Sequence, residues 1–284
     1  MASKKKMKHY PVLRNCMLTQ PLPAGNRALV DVPRLLSQIN HRLYRQSRVY
    51  EVNISLDADV DIVQSIDVYA LADTWMVHKA YQMAKTAFDE SNAEEMKMLN
   101  GRTARWNDFR VTNGVAGTGS YEATTFLKGT LAADKYTIGE FENSIVEDQL
   151  GNVKAFSWGN PNSALYSIIE EYDASGNTDV DPTTPATGAY NGLLPNLDAT
   201  AAEALQDDGN NPPYDANDIG QAVWVKVGTL HITPGRQRLS TGFFKAPCGM
   251  VILDGVGITE YNGSVELEVK SGDYKGVKAP SMLE

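Results

Sequence analysis

Short runs with apolar side chains at alternate positions constrain the fold of this chain more than any other feature. Such alternation puts one face of an extended segment in a core and the other in solvent. Gly, Asn, Asp and Pro separate the runs and supply turns. The runs lie at residues 48–56, 65–71, 136–141, 153–158, 165–172, 222–232, 249–253 and 264–269. They predict a mainly β protein, in which eight antiparallel strands form a two-sheet sandwich or a barrel.

Two other segments have helical spacing. A helix is predicted over residues 74–99, where apolar side chains recur every three to four positions before Asn100 ends the pattern. Pro33 suits the first turn of a second helix over residues 33–46, with apolar residues on one face and arginines on an adjacent face. A strand is the competing prediction for this second segment, because it leads directly into the run at 48–56.

Basic residues are concentrated at the N-terminus. Residues 1–48 contain ten Lys or Arg and one acid, Asp31, so they carry +9; the whole chain carries −9, which leaves −18 for residues 49–284. Crowded like charges repel, and a polyanion relieves that repulsion while releasing its own counterions. We therefore predict a basic arm, residues 1–48, on a body spanning residues 49–284. The lysine run at residues 4–8 equally fits a solubilising tail or a nuclear address.

An acidic segment interrupts the second half of the chain. Residues 173–220 are rich in Asp, Asn, Pro, Gly and Thr, and the wider stretch 155–225 contains no Lys or Arg. We expect a long acidic surface loop between two strands. Hard oxygen ligands for calcium surround Gly176 in this loop, at Asp173, Asn177, Asp179 and Asp181. Their spacing does not fit an EF-hand, so a solvated loop without metal is the competing interpretation.

Sequence motifs of catalysis are missing. The four histidines are isolated, no HExxH or GxSxG occurs, and the glycine-rich stretch 114–120 lacks the lysine of a phosphate-binding loop. We therefore expect no enzymatic activity and no cofactor other than the calcium considered above. Cys16 and Cys248 are too few for a disulfide scaffold. No apolar run approaches the roughly 20 residues of a membrane helix.

Four stretches of this sequence resemble one protein family. They read LVDVPRLLSQINHRLYRQSRVYEVNISLD, IDVYALADTWMVHKAYQMAKTAFDE, ARWNDFRV and SVELEVKSGDYKGV. They are similar to the single jelly-roll capsid proteins of small circular Rep-encoding single-stranded DNA viruses. Clear similarity covers about a quarter of the chain. Many members of that family have long Arg-rich tails, whereas this chain has a short arm and a pI near 5.0.

The resemblance implies an eight-stranded jelly roll whose copies assemble into an icosahedral shell around a nucleic-acid genome. The expected genome is single-stranded DNA. It implies location in the virion, with assembly in the host nucleus. The arm would face inward, and the acidic region would face outward. The residues implied to bind nucleic acid are Lys4, Lys5, Lys6, Lys8, Arg14, Arg34, Arg42, Arg45 and Arg48.

Two other classes of function fit the sequence. One is a β-sandwich binding module of the lectin or receptor-binding type, whose acidic loops form a calcium-dependent site. It predicts small closed oligomers and leaves the basic arm unexplained. The other is a hydrolase on a β scaffold, which requires two opposed carboxylates about 5–10 Å apart across a cleft.

Overall fold

The computed structural model of the protein describes residues 12–18, 27–60, 63–98, 100, 107–114, 118–119, 144–147, 151–174, 223–256 and 263–283. These residues form a mainly β structure, a sandwich of two largely antiparallel sheets. In chain order its elements are β1 (Asn15–Leu18), β2 (Arg27–Asp31), α1 (Val32–Asn40), β3 (Val49–Val60), β4 (Gln64–Leu71), α2 (Trp75–Met98), β5 (Thr118–Gly119), β6 (Ile145–Glu147), β7 (Val153–Ser157), β8 (Leu165–Ser167), α3 (Ile168–Ala174), β9 (Trp224–Ile232), β10 (Gly235–Ser240), β11 (Phe244–Pro247), β12 (Met250–Val256) and β13 (Gly263–Val269).

The first sheet has the strand order β1-β13-β3-β10. Strand β3 is long enough to pair with two successive partners on one edge: β11 lies against its first residues and β10 against its last. All pairs in this sheet are antiparallel. The chain interrupts the β10–β11 edge at residues 241–243, where the hydroxyl of Thr241 accepts a hydrogen bond of 3.1 Å from the amide of Ile54.

The second sheet has the order β5-β2-β12-β4-β9. Its pairs are antiparallel except for the short parallel contact between β2 and β5. Strands β4 and β9 pair although 152 residues, 72–223, separate them in sequence. The two ends of this insertion meet, because the amide of Ala72 donates to the carbonyl of Val223 at 2.8 Å.

The main core lies between the two sheets. In β4, side chains alternate between buried and half-buried positions, as period-two alternation requires. Ile66 and Val68 of β4 pack in the same cluster as Val52 and Ile54 of β3. The opposite face of β3 is polar: Glu51 forms ion pairs there with Lys270, at 2.6 Å, and with Lys278.

A second core covers the outer face of the second sheet. Helix α2 lies against it and contributes Val77, Ala80 and Tyr81 to a cluster with the fully buried Trp158. The rings of Tyr81 and Trp158 are nearly parallel, with centroids 6.4 Å apart. The second sheet is therefore covered on both faces around β2 and β12, whereas its edge strand β9 is largely exposed.

Several predicted elements are confirmed, with adjusted ends. The runs at 48–56, 65–71, 222–232, 249–253 and 264–269 correspond to β3, β4, β9, β12 and β13, and the helix at 74–99 is α2. The run at 136–141 lies outside the described residues. The mainly β class is confirmed.

Other predictions need correction. The run at 165–172 divides into the short strand β8 and the helix α3, and the run at 153–158 is β7 of a separate three-stranded sheet, β6-β7-β8. The helix predicted over 33–46 ends at Asn40, where His41 adopts a left-handed conformation with φ 51°. Strands β1, β2, β10 and β11 were not expected. Because β1, β2 and α1 belong to the sandwich, the described part of the predicted arm contributes to the body.

Candidate nucleic-acid interface

The nine basic residues expected to bind nucleic acid lie in different environments. Four lie outside the described residues: Lys4, Lys5, Lys6 and Lys8. Arg14 is exposed directly before β1. Arg34 is buried in α1. The remaining three lie in the connection between α1 and β3, at Arg42, Arg45 and Arg48.

The prediction for Arg34 is corrected. Helix α1 buries all residues from Val32 to Gln38, and Arg34 is only 4% exposed. The helix begins at the cap residue Asp31, whose carboxylate accepts a hydrogen bond of 3.0 Å from the amide of Arg34. A guanidinium held in this position is not available to a polyanion in solution.

The connection of residues 41–48 folds back onto α1. After the left-handed His41, the amide of Arg42 donates to the carbonyl of Ser37 at 3.3 Å. The hydroxyl of Ser37 donates to the carbonyl of Pro33 at 2.6 Å and accepts from the amide of Tyr44 at 2.8 Å. These bonds fix where the connection leaves the helix, and so which of its side chains point outward.

Buried side chains anchor the same connection. Tyr44 and Gln46 are fully buried, while Arg45 between them is exposed. The side-chain amide of Gln46 pairs with the backbone of Val111, accepting from its amide at 2.6 Å and donating to its carbonyl at 3.1 Å. The hydroxyl of Tyr50 donates to the carbonyl of Arg45 at 2.7 Å. Alternate side chains thus point into the core and out to solvent.

A turn near the C-terminus completes the interface. The hydroxyl of Tyr274 accepts from the amide of Arg45 at 3.2 Å, and the hydroxyl of Tyr44 donates to the carbonyl of Lys275 at 2.9 Å. The rings of Tyr44 and Tyr274 meet edge to face, with centroids 6.0 Å apart. The guanidinium of Arg48 lies 3.9 Å from the Tyr274 ring centroid.

Lys275 joins the three arginines. Its ammonium group lies 5.3 Å from the Tyr274 ring centroid and 5.8 Å from that of Tyr44, and it donates to the carbonyl of Leu43. We call Arg42, Arg45, Arg48 and Lys275 the basic cluster. The half-buried ring of Tyr274 and four cations therefore share one surface, with the buried Tyr44 ring beneath them, and an aromatic ring among cations is a combination used to hold phosphates and stack bases.

The charges of the basic cluster are close enough to affect one another. Partial burial lowers the pKa of Lys275, and the positive charges of Arg45, Arg48 and Arg42 lower it further. Asp108 opposes this effect from beneath the cluster, 3.6 Å from Arg45. Burial raises the pKa of Asp108, although its carboxylate accepts a hydrogen bond of 2.9 Å from the amide of Gln46. An anion bound at the cluster would relieve the crowding of positive charge.

Val12, the first residue that the structure describes, lies beside the basic cluster. Gly276, with φ 91°, follows Lys275, and a Cβ atom added there would lie 2.6 Å from a methyl carbon of Val12. Val12 therefore packs directly on this turn. Lys8 is four residues upstream, so the covalent chain keeps its Cα within about 14 Å of that of Val12.

Three members of the candidate interface were not predicted from the sequence: Tyr274, Lys275 and Asp108. The run SGDYKGVKAP after β13 carries a tyrosine and two lysines, which is a basic and aromatic pattern that could have directed attention to it. The contact itself could not be predicted, since Tyr44 and Lys275 are 231 residues apart. The buried carboxylate of Asp108 follows Trp106 and Asn107 without any motif.

Neither a metal centre nor a membrane helix is found in the described part of the chain. No three His, Cys, Asp or Glu side chains there come together as metal ligands. Among the same residues no helix is long and apolar enough to cross a membrane. The proposed calcium ligands Asn177, Asp179 and Asp181, and the side chain of Asp173, lie outside the described residues.

No family model, no curated protein and no solved structure matches this chain. Its function is therefore inferred from the fold and from the chemistry of the basic cluster.

Proposed function

We propose that this protein is the subunit of a viral capsid, a single jelly roll that self-assembles into a closed shell around a nucleic-acid genome. The observation that carries the proposal is the basic cluster, which lies on a β-sandwich beside Val12, four residues after the lysine run in the sequence. The proposal assigns no catalytic step to the chain. Its partners are further copies of itself and the packaged nucleic acid.

The order of strand pairing supports the jelly-roll assignment. β1 pairs with β13, β2 with β12, β3 with β10 and β11, and β4 with β9. Counted as eight strands with β10 and β11 as one, the partners are first with last, second with seventh, third with sixth, and fourth with fifth. This is the pattern of one long hairpin rolled into two sheets. Jelly rolls of eight strands are common in viral capsids, although lectin domains and cupins use them too.

The basic cluster supports nucleic acid as the partner. Its cations can contact phosphates of any sequence, which gives affinity without sequence readout. The sequence adds Lys4, Lys5, Lys6 and Lys8 within eight residues of Val12, which lies beside the cluster. The strongly negative remainder of the chain fits a shell whose outside is acidic and whose inside is basic.

Salt-dependent binding tests the role of the cluster. We would measure the affinity of the unassembled subunit, in which the cluster is accessible, for a fluorescent 20-nucleotide oligo(dT) by anisotropy between 50 and 300 mM NaCl. The variant R42Q/R45Q should lower the slope of log K against log salt by about 1.4, since each lost phosphate contact on a single strand contributes about 0.7. The matched control R236Q/R238Q removes two arginines from β10, where they pair with Asp57 and Glu266.

An unchanged slope in R42Q/R45Q, or equal losses in the control, would contradict the assignment of the cluster. Negative-stain electron microscopy, with a 260/280 nm absorbance ratio on the same sample, tests the shell. Uniform closed particles with a nucleic-acid-like ratio are expected. A monomer or small oligomer under all salt and calcium conditions would favour a β-sandwich binding module.

A further inference from the structure

A groove bordered by the second core lies between helix α2, helix α3 and the small sheet β6-β7-β8. Its volume is about 630 Å³, within the range of pockets that hold small organic molecules. It exists because α2 presents Ala84 and Ala87 where larger side chains would reach β7 and α3. Phe156 and Ile168, both buried, form its floor.

The rim of the groove carries negative charge. Glu147 from β6 and Glu171 from α3 line it, and both side chains are exposed. Neither carboxylate forms an ion pair with another residue in the described part of the chain. An apolar floor with carboxylates at its edge matches a ligand that has an apolar body and a positively charged end.

One cation already lies near this groove. Lys154 is two residues from Phe156 in β7 and so faces the same side of the small sheet. Its ammonium group lies 4.6 Å from the centroid of the Tyr166 ring, and Tyr166 also lines the groove. The arrangement shows that a cation is accepted against an aromatic wall here. Lys154 also repels the positively charged end of a ligand that lies near Tyr166.

We propose that this groove binds a hydrophobic amine: an aromatic or aliphatic body packs on Phe156 and Ile168, and its ammonium group is held between Glu147 and Glu171. The exposure of both carboxylates favours a binding role over acid–base catalysis, because a catalytic acid of this kind is held in an apolar environment. The proposal is independent of nucleic-acid binding at the basic cluster.

Calorimetric titration with two molecules of the same apolar body tests the charge preference. We would titrate the full-length protein with 3-phenylpropylamine and with 3-phenylpropionate. The amine should bind at least fivefold more tightly. The double variant E147Q/E171Q should lose up to about fivefold in amine affinity for each carboxylate, whereas K154M should bind the amine more tightly.

Filling the groove tests its location. A87W should abolish binding of the amine, whereas the control T86W, on an exposed neighbouring position of α2 that does not line the groove, should leave it unchanged. Circular dichroism confirms that each variant is folded. Equal affinity for amine and carboxylate, or binding retained in A87W, overturns the proposal. Absence of amine binding to the unmodified protein also overturns the proposal.

Discussion

Asp31 and Arg110 form a buried ion pair whose removal should be costly. Their side chains are 4% and 5% exposed. One oxygen of Asp31 accepts from Arg110, and the other accepts from the amide of Arg34 at the start of α1. D31N keeps an oxygen that can cap the helix but removes the negative charge. Arg110 then remains buried without the charge of Asp31, and Asp108 is a weaker, indirect replacement, so D31N should lose about 3 kcal/mol of unfolding free energy.

The opposite change and the double change separate the ion pair from the helix cap. R110M should cost less than D31N, because the amide of Arg34 and the positive end of the α1 dipole still stabilise the carboxylate. The double variant D31N/R110M leaves no buried charge at this pair, and should recover about 2 kcal/mol or more relative to D31N.

Urea unfolding followed by circular dichroism measures all three variants at pH 7. The exposed pair of Asp57 and Arg236 provides the control, since their side chains are 42% and 76% exposed. D57N should change stability by less than about 1 kcal/mol. A loss below about 1 kcal/mol in D31N, or a double variant as unstable as the sum of the singles, would refute this account of the pair.

The remaining predictions concern a close backbone approach and a pH effect. A Cβ atom at Gly114 would lie 2.0 Å from the hydroxyl oxygen of Ser157, and its φ is 61°, so G114A should destabilise by about 2 kcal/mol or more in thermal melts. G228A, where no atom lies within 4 Å of the added carbon, is the control and should cost less than half as much. Hydrogen bonds from Lys270 and Lys278 lower the pKa of Glu51. Its stabilising contribution is therefore present above the unfolded pKa and is lost as pH falls through the lower, folded pKa. E51Q should melt at a lower temperature than the unmodified protein at pH 7, and the difference should shrink as the pH falls below the ordinary Glu pKa of about 4.3; a constant difference would contradict this.

Local patterns predicted the long elements of the fold. Strands β3 and β4 alternate over many residues, and helix α2 repeats its apolar face over several turns, so each needs only its own sequence to be recognised. The run at 165–172 carries apolar residues that fit either strand or helix, and only its place beside β7 divides it into β8 and α3.

Long-range contacts explain what the sequence did not reveal. Strands β1 and β2 are four and five residues long, which is too short for a clear alternating pattern. They also lie in a stretch rich in basic residues, which indicated a charged arm and not a part of the sheets. The arginines of the basic cluster were named from the sequence alone. Tyr274 and Lys275 join them only because the C-terminal turn packs against Val12 and the connection after α1.

The insertion between β4 and β9 has a consequence for the order of folding. Pairing Leu71 with Trp224 closes a loop of 152 residues. The free-energy cost of closing a loop grows as three halves of RT times the logarithm of its length. Closing this loop therefore costs about 2.4 kcal/mol more than closing a ten-residue hairpin. The other antiparallel pairs of the two sheets join residues still farther apart in sequence, so the pairing at the tip of the rolled hairpin closes the shortest of these loops and is the least costly to form first. Helix α2 offers a local nucleus that begins four residues after β4 and shortens the effective loop if it forms first. The rate of folding should therefore fall when substitutions weaken helix formation in α2.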